Sequence, residues 1–288
     1  MRTLRFLIWT VLAAFATATH AQMREAVDTL EGRIAGCVPT HVHDIMVGAG
    51  TANILDTYLS PYNYTGVNMN LIRKTERFLW RRPSWLFQTL LNIDGSVLDN
   101  PGGNVNEYAG GVRYAVGWMR AISPYRHYRI FNGRTSLNIF AGPMISGYLG
   151  CVYNERNGNN PAQAKADLMI DFSAKANVSF LFLHRYCNLD YQVILPCVGM
   201  AFSPNYGQSY YEAFEQENYD HNIVFAHPGN MPSLRQNLTF GIQIRKYRAT
   251  QLLVGYSGHF MQSKFNNLRY HSYTNTLMVG LSHQFISK

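Results

Sequence analysis

The sequence predicts an all-β protein: one antiparallel up-and-down transmembrane β-barrel of about ten strands, within a range of about 8–12. Three observations carry this expectation. The first is a stretch of alternation over residues 167–183. There Leu168, Ile170, Phe172, Ala174, Ala176, Val178, Phe180 and Phe182 interleave with Asp167, Asp171, Ser173, Lys175, Asn177 and Ser179. Period two sends the two sets to opposite faces of a strand. A run of that length far exceeds the about 5–6 residues of an ordinary soluble strand.

The second observation is the N-terminus. Arg2 and Arg5 precede an apolar run over residues 6–16, with small residues at Ala16, Ala18 and Ala21. That is the pattern of a secretory signal, too short to cross a bilayer as a helix. No later stretch approaches about 20 consecutive apolar residues, so any membrane crossing falls to strands. The third observation is the spacing of the connections. Residues 79–83, 123–134, 184–188 and 247–248 make shorter links, and 56–65, 95–105, 150–166, 203–233 and 262–272 make longer ones. Shorter and longer links alternate, as periplasmic turns and outer loops do in such barrels. The chain therefore divides into a signal peptide (1–21), a periplasmic leader (22–42) and a barrel domain (43–288).

Composition agrees. Charged residues make up 15 %, below the roughly 25 % of soluble domains. Aromatic residues reach 14 %, with 19 tyrosines. The net charge of +8 is spread along the chain, which favours anionic lipid over nucleic acid as a partner.

In order, strands are predicted over 43–55, 66–78, 84–94, 106–122, 135–149, 167–183, 189–202, 234–246, 249–261 and 273–285. In the first, Ile45, Val47 and Ala49 alternate with Met46, Gly48 and Gly50. In the second, Val67, Met69 and Leu71 oppose Asn68 and Asn70. The fourth sets Tyr108, Val112, Tyr114, Val116 and Trp118 against Gly111, Arg113, Ala115 and Gly117. Pro143 predicts a bulge or bend in the fifth, and Pro196 makes the seventh irregular. In the eighth, Leu238, Phe240, Ile242 and Ile244 oppose Thr239, Gly241, Gln243 and Arg245. The last strand, with Leu277, Val279 and Leu281 on one face, is expected to close the ring against the first. Its Phe285 suits the terminal aromatic that barrel-assembly machinery reads.

Chemistry is sparser. Arg113, Asp171, Lys175 and Arg245 are expected in the lumen, where charges must pair with one another or with trapped water. His41 and His43 share a strand face, but no partner motif follows, so neither metal nor cofactor is expected. Ser282 and His283 are neighbours on a strand and point to opposite faces, so they cannot pair as nucleophile and base. Cys187 and Cys197 fall about 30 Å apart on one extended strand, too far to bridge. The four cysteines, Cys37 and Cys151 included, are expected free or buried.

Two outer loops are rich in tyrosine and expected to pack together or to hold a partner: Tyr58 and Tyr64 in the first, Tyr206, Tyr210, Tyr211, Glu212 and Phe214 in the second. These loops also carry a resemblance. The run Leu55-Asp56-Thr57-Tyr58-Leu59-Ser60-Pro61 with Tyr64-Thr65-Gly66, and the run Ser203-Pro204-Asn205-Tyr206-Gly207-Gln208-Ser209-Tyr210-Tyr211-Glu212-Ala213-Phe214, resemble an uncharacterised family of exported, barrel-like proteins of the Bacteroides group. The resemblance implies an outer-membrane barrel and brings no activity, substrate or catalytic residue with it. The expected function is a monomeric outer-membrane barrel without catalysis, acting as a small channel, a structural protein or a binding subunit. Its expected partners are outer-membrane lipid, the barrel-assembly machinery and an envelope protein. The alternatives are a barrel enzyme acting on lipid or peptide, a soluble periplasmic β-protein, and a subunit of an envelope complex held through the tyrosine-rich loops.

Overall fold

The computed structural model describes residues 39–79, 82–128, 135–158, 160–182, 185–217, 219–244 and 250–286. The signal peptide (1–21) and all but the end of the leader (22–42) lie outside the described residues, as does Cys37. Among the described residues, eleven strands and one short helix follow in order: β1 (Pro39–Asp56), β2 (Asn63–Leu79), β3 (Arg82–Asp99), β4 (Asn106–Tyr128), β5 (Thr135–Asn154), β6 (Ala162–Phe182), β7 (Arg185–Phe202), α1 (Tyr210–Phe214), β8 (Ile223–Ala226), β9 (Ser233–Gln243), β10 (Thr250–Phe265) and β11 (Leu268–Ile286).

Each of β1 to β7 pairs antiparallel with the next, β7 pairs with β9, β9 with β10, β10 with β11, and β11 returns to β1. The result is a closed ring of ten long strands. Short β8 continues the wall beside the far end of β7. At the seam Val47 stands opposite Val279 and His43 opposite His283. The end that carries residues 57–62 and 203–232 is called upper below, and the end that holds Pro39 and Ile286 lower.

Nine of the ten strands run longer than hydropathy alone indicates, β4 spanning 23 residues, for example, whereas β9 is described over 11. Alternation remains legible only where one face is apolar, whereas the ladder continues wherever neighbouring strands supply partners. The connection predicted over 95–105 shrinks to 100–105, held by Asn100 and Asn104. The longer loop predicted over 262–272 is absent. β10 and β11 meet in a two-residue turn at Asn266 and Asn267, with φ of 50° and 63°. Both central residues of such a turn need positive φ, which asparagine tolerates better than other non-glycine residues.

The prolines divide. Pro143 makes no bulge: β4 and β5 hold one register on either side of it, with Gly117 opposite Met144 and Arg120 opposite Ala141. Pro196 sits at a true irregularity, where Cys197 is skipped in the pairing with β6. On its other side β7 pairs with β9 up to Ile194 and with β8 from Gly199. The residue without an N–H thus falls in the gap between two partners, where no donor is required.

The wall turns its apolar side chains outward. Ile45, Leu149, Leu168 and Leu277 are 53 %, 70 %, 60 % and 74 % exposed, in company with most outward residues of every strand. Contiguous apolar surface on this scale is not sustained by a water-soluble monomer. Cys151, Cys187 and Cys197 are free.

Asn267→Val should destabilise the barrel by about 1–2 kcal/mol, the cost of forcing a β-branched residue into the left-handed region. Asn267→Gly should leave stability nearly unchanged. Urea-unfolding midpoints in detergent micelles read both.

Candidate functional site

Strand periodicity sends every second residue into the lumen, and what stacks there determines what the barrel can do. Among the described residues, polar and apolar layers alternate along it from top to bottom. In the uppermost, Lys165 on β6 reaches Asp56 on β1 at 2.9 Å and lies over the Tyr270 ring at 3.8 Å. Asn154 donates to Glu107 at 3.0 Å beside them.

Below this lies a second charged layer. Arg113 on β4 grips Asp167 on β6 through both guanidinium ends, at 2.7 and 2.9 Å. Two parallel hydrogen bonds of this kind are among the strongest polar contacts a side chain makes. The Arg113 guanidinium also lies 4.6 Å from the Tyr148 ring. That ring needs Gly111 and Gly150: a Cβ on either would come within 2.5 Å of the Tyr148 hydroxyl. Arg235 on β9 bonds Asp171 on β6 and reaches Ser146 at 3.3 Å. Between these groups is a cavity of about 50 Å³ lined by Asn70, Asn92, Asp94, Arg235, Ser257, His259 and Ser272. Asn70 Oδ1, Asn92 Oδ1, His259 Nε2 and Arg235 Nε and Nη1 have no protein hydrogen-bond partner and suit a small group of waters.

The third layer is apolar. Met46, Ile72, Leu90, Ala115, Met144, Ile194, Leu253 and Met278 form one buried cluster across the lumen. The strand order shows its level: Ile72 lies between Asn70 and Lys74, and Ala115 comes next below Arg113 on the inner face.

The fourth layer is again ionic, and towards the lower end Leu86, Met119 and Phe140 follow it as a second apolar cluster with Phe78 and Ala121 against them. Lys74 contacts Asp44 at 2.9 Å, Asp190 at 3.5 Å and Glu76 at 3.7 Å. Lys175 bonds Glu76 and reaches Asp190 at 3.4 Å. Gln88 donates to Glu76 at 2.9 Å, Gln192 to Ser173 at 2.9 Å and Asn177 to Asp190 at 2.8 Å. All five charged groups are buried. A cavity of about 20 Å³ adjoins them.

A cap covers the upper mouth. Ser203 and Asn222 close the segment between β7 and β8 on itself, and Asn266 in the β10–β11 turn donates to the Ser203 and His221 carbonyls at 3.1 and 3.0 Å. Ser209 and Glu212 exchange hydrogen bonds in a capping box that starts α1. Tyr58 donates to the Gln208 carbonyl at 2.8 Å and meets Tyr210 edge-on at 6.0 Å. The Ala164 N–H donates to the Tyr210 hydroxyl at 2.6 Å. Burial, followed by the nearby Asp56 and Glu212 carboxylates, raises the Tyr58 phenol above its usual range. Under the cap Met169, Ala201, Ala226, Met231, Met261 and Phe265 pack together, next to a cavity of about 30 Å³.

The structure thus brings the two tyrosine-rich loops together, but its tyrosines divide. Tyr58 and Tyr210 seal the mouth. Tyr206 and Tyr211 face away from it, 73 % and 65 % exposed. Tyr64 is not a surface contact: it is 3 % exposed and packs inside the wall with Ala52, Ile54, Leu98 and Val105. Its position within β2 gives it the inward phase that also holds Asn68 and Asn70. The Phe214 side chain and all of Arg245 lie outside the described residues. Arg113, Asp171 and Lys175 are in the lumen, paired with Asp167, Arg235 and Glu76; of these partners the sequence pattern places Asp167 alone on an inner face, and none is among the expected lumen charges. A signal for the other two existed. Lys74 and Glu76 continue the phase of Asn68 and Asn70, and Arg235 continues that of Thr239 and Gln243. Ser282 is buried inside the wall and His283 exposed outside it. The His41 and His43 rings stack 6.4 Å apart, and among the described residues no group of three or more His, Cys, Asp or Glu is placed to hold a metal.

These features define a class: a closed, antiparallel, ten-stranded barrel of the outer-membrane kind, apolar outside and filled with paired charges inside. The chain belongs to the family described as Protein of unknown function (DUF3316), whose model matches residues 7–288. No curated protein matches it in sequence. Among solved structures it is similar to the outer membrane protease OmpT from Escherichia coli, with 7 % identity, TM-score 0.50, and 86 % of this chain and 98 % of that chain covered. It also matches the transport unit of the autotransporter AIDA-I from Escherichia coli, with 6 % identity, TM-score 0.47, and 91 % and 97 % covered. At such identity the OmpT likeness shows the fold alone.

Arg113→Leu should cost about 3–5 kcal/mol of stability, because it leaves the Asp167 carboxylate buried without its partner. Arg113→Leu with Asp167→Leu should recover most of that loss. The two urea-unfolding midpoints, compared with wild type, measure the difference.

Proposed function

We propose that this barrel is an outer-membrane protein without catalytic activity, closed along its axis, that serves as a structural or binding subunit through its capped outer end. The observation that carries the proposal is the apolar layer from Met46 to Met278, set between two ionic layers. Water-filled channels keep a continuous polar path, and here the charges of each ionic layer are engaged with one another: Lys74 and Lys175 with Asp44, Glu76 and Asp190, and Arg113 and Arg235 with Asp167 and Asp171. Three cavities among the described residues, of about 20, 30 and 50 Å³, take a few waters each and no peptide or lipid. This weighs against both a standing channel and an enzyme whose substrate enters the lumen.

The outward apolar wall supports the outer-membrane location, with the upper end outside. On that end Tyr206 and Tyr211 stand out from an ordered cap, and rigid aromatic side chains give large contact area for little lost entropy. Phe285 lies in the last strand, where its backbone pairs with His41 beside the seam, and is proposed as the assembly signal.

Purified barrel added to a planar bilayer should insert without conductance steps; stable steps of open-pore size would overturn the closed-lumen reading. Solubilised outer membrane should yield co-purifying envelope protein with the full chain and lose it when residues 205–230 are removed. Unchanged partners would reject the cap as the binding surface. Truncation of residues 285–288 should lower the yield of heat-modifiable, membrane-inserted barrel several-fold, and normal insertion would remove Phe285 from the assembly role.

A further inference from the structure

The apolar wall has two heights. On β6 every second residue from Leu168 to Phe182 is apolar, eight in succession. On β1 only Ile45, Val47 and Ala49 stand between His43 and Thr51. On β11 only Leu277, Val279 and Leu281 stand between Asn275 and His283. On β2 only Val67, Met69 and Leu71 stand between Thr65 and Arg73. The limits of β1 and β11 coincide across the seam: His43 faces His283, and Thr51 faces Asn275. β2 is staggered by one outward position, with Arg73 opposite Ile45 and Val67 opposite Thr51.

Three alternate positions span about 13 Å along a strand and eight span about 46 Å. Corrected for a strand tilt of about 40°, these are about 10 Å and about 35 Å of height, against the about 25 Å of an ordinary barrel belt. One side of this barrel is therefore far too short for a bilayer of normal thickness. A bilayer meets such a mismatch by thinning locally.

The rims of the short side have interfacial chemistry. At the lower rim Arg73 and Arg77 are exposed on β2, with His41 opposite Arg77. Guanidinium and imidazole groups in this position suit phosphate. At the upper rim Tyr256 donates to Asn275 at 2.6 Å, and the Tyr273 ring stacks on His271 at 4.6 Å and lies 5.9 Å from Phe260. Aromatic groups with polar tips settle at the headgroup level. Cations on one rim and aromatic girdle residues on the other, with aliphatic side chains alone between them, match a compressed lipid bilayer better than a protein partner.

Building on the membrane reading above, we infer that the β11–β1–β2 face thins the bilayer beside it, and that its lower rim takes the phosphates of phospholipid headgroups. The barrel then presents lipid with one side taller than an ordinary belt and one side where the two headgroup layers approach each other.

The test uses the full barrel, with its cysteines replaced by serine, in phosphatidylcholine vesicles. Single nitroxide labels go at Asn275→Cys and His283→Cys on the short face and at Phe172→Cys and Val178→Cys on the tall face. Depth is read from relaxation by oxygen and by a nickel chelate. Labels at 275 and 283 should both report headgroup depth, and labels at 172 and 178 hydrocarbon depth. A hydrocarbon reading at 275 or 283 would overturn the inference. A second measurement compares folding rates in bilayers of 12-carbon and 18-carbon chains. Wild type should fold about tenfold faster in the thinner bilayer. The variant with His43→Leu, Arg73→Leu, Thr75→Leu and His283→Leu should cut that ratio to about threefold or less, and an unchanged ratio would count against the short face. Failure of wild type to enter either bilayer would instead overturn the membrane reading itself.

Discussion

Hydrocarbon offers no partner to a peptide N–H or C=O, so a wall of strands that faces lipid must satisfy every such group within itself. Closure of the ring is the constraint on which the remaining features depend. It is met at the seam, where β1 and β11 pair along nearly their whole length, from Pro39 to Asp56. It also explains the treatment of Pro196. A residue that cannot donate is placed where the partner strand changes from β9 to β8, and the ladder loses nothing that a neighbour was waiting to receive.

Closure in turn creates the lumen, and the lumen of a ten-stranded ring is too wide for one row of side chains to fill. Charges that meet across it are cut off from bulk water, so each needs a partner. The pairs formed here join strands far apart in sequence: Lys74 on β2 with Asp190 on β7, Arg235 on β9 with Asp171 on β6. They also act as register keys. A slip of one residue in β2 would carry Lys74 and Glu76 to the lipid face, at a cost no apolar gain offsets. The apolar cluster between the ionic layers has no charge to pair and sets no such key.

Much of this was legible in advance. Strict alternation over 167–183 indicated a wall strand that only a membrane barrel accommodates, and the seam between the last strand and the first followed from the need to close. The lumen location of Arg113, Asp171 and Lys175 followed from their phase. Other features were hidden for identifiable reasons. The turn at Asn266 and Asn267 is hidden because the pattern inverts around it: Phe265 and Leu268 face inward while Gln262, Lys264 and Arg269 face outward, the reverse of the apolar wall below. Tyr64 was grouped with the loop tyrosines because strand β2 begins before its hydrophobic pattern does. The partners Asp167, Glu76 and Arg235 had the right phase, but phase names a face and not a neighbour.

By itself the sequence determined which side chains face lipid and which face the lumen, because period two is a property of each strand alone. It pointed to the ring for the same reason: strands with one long apolar outer side leave closure as the way to satisfy the backbone. Only the tertiary structure decided which charges meet, that an apolar cluster lies across the lumen between ionic layers, and how the short apolar runs of β11, β1 and β2 line up beside one another. Those facts depend on how far each strand is shifted against the next around the ring, and that stagger is fixed by the sum of all pairings and not by any one of them.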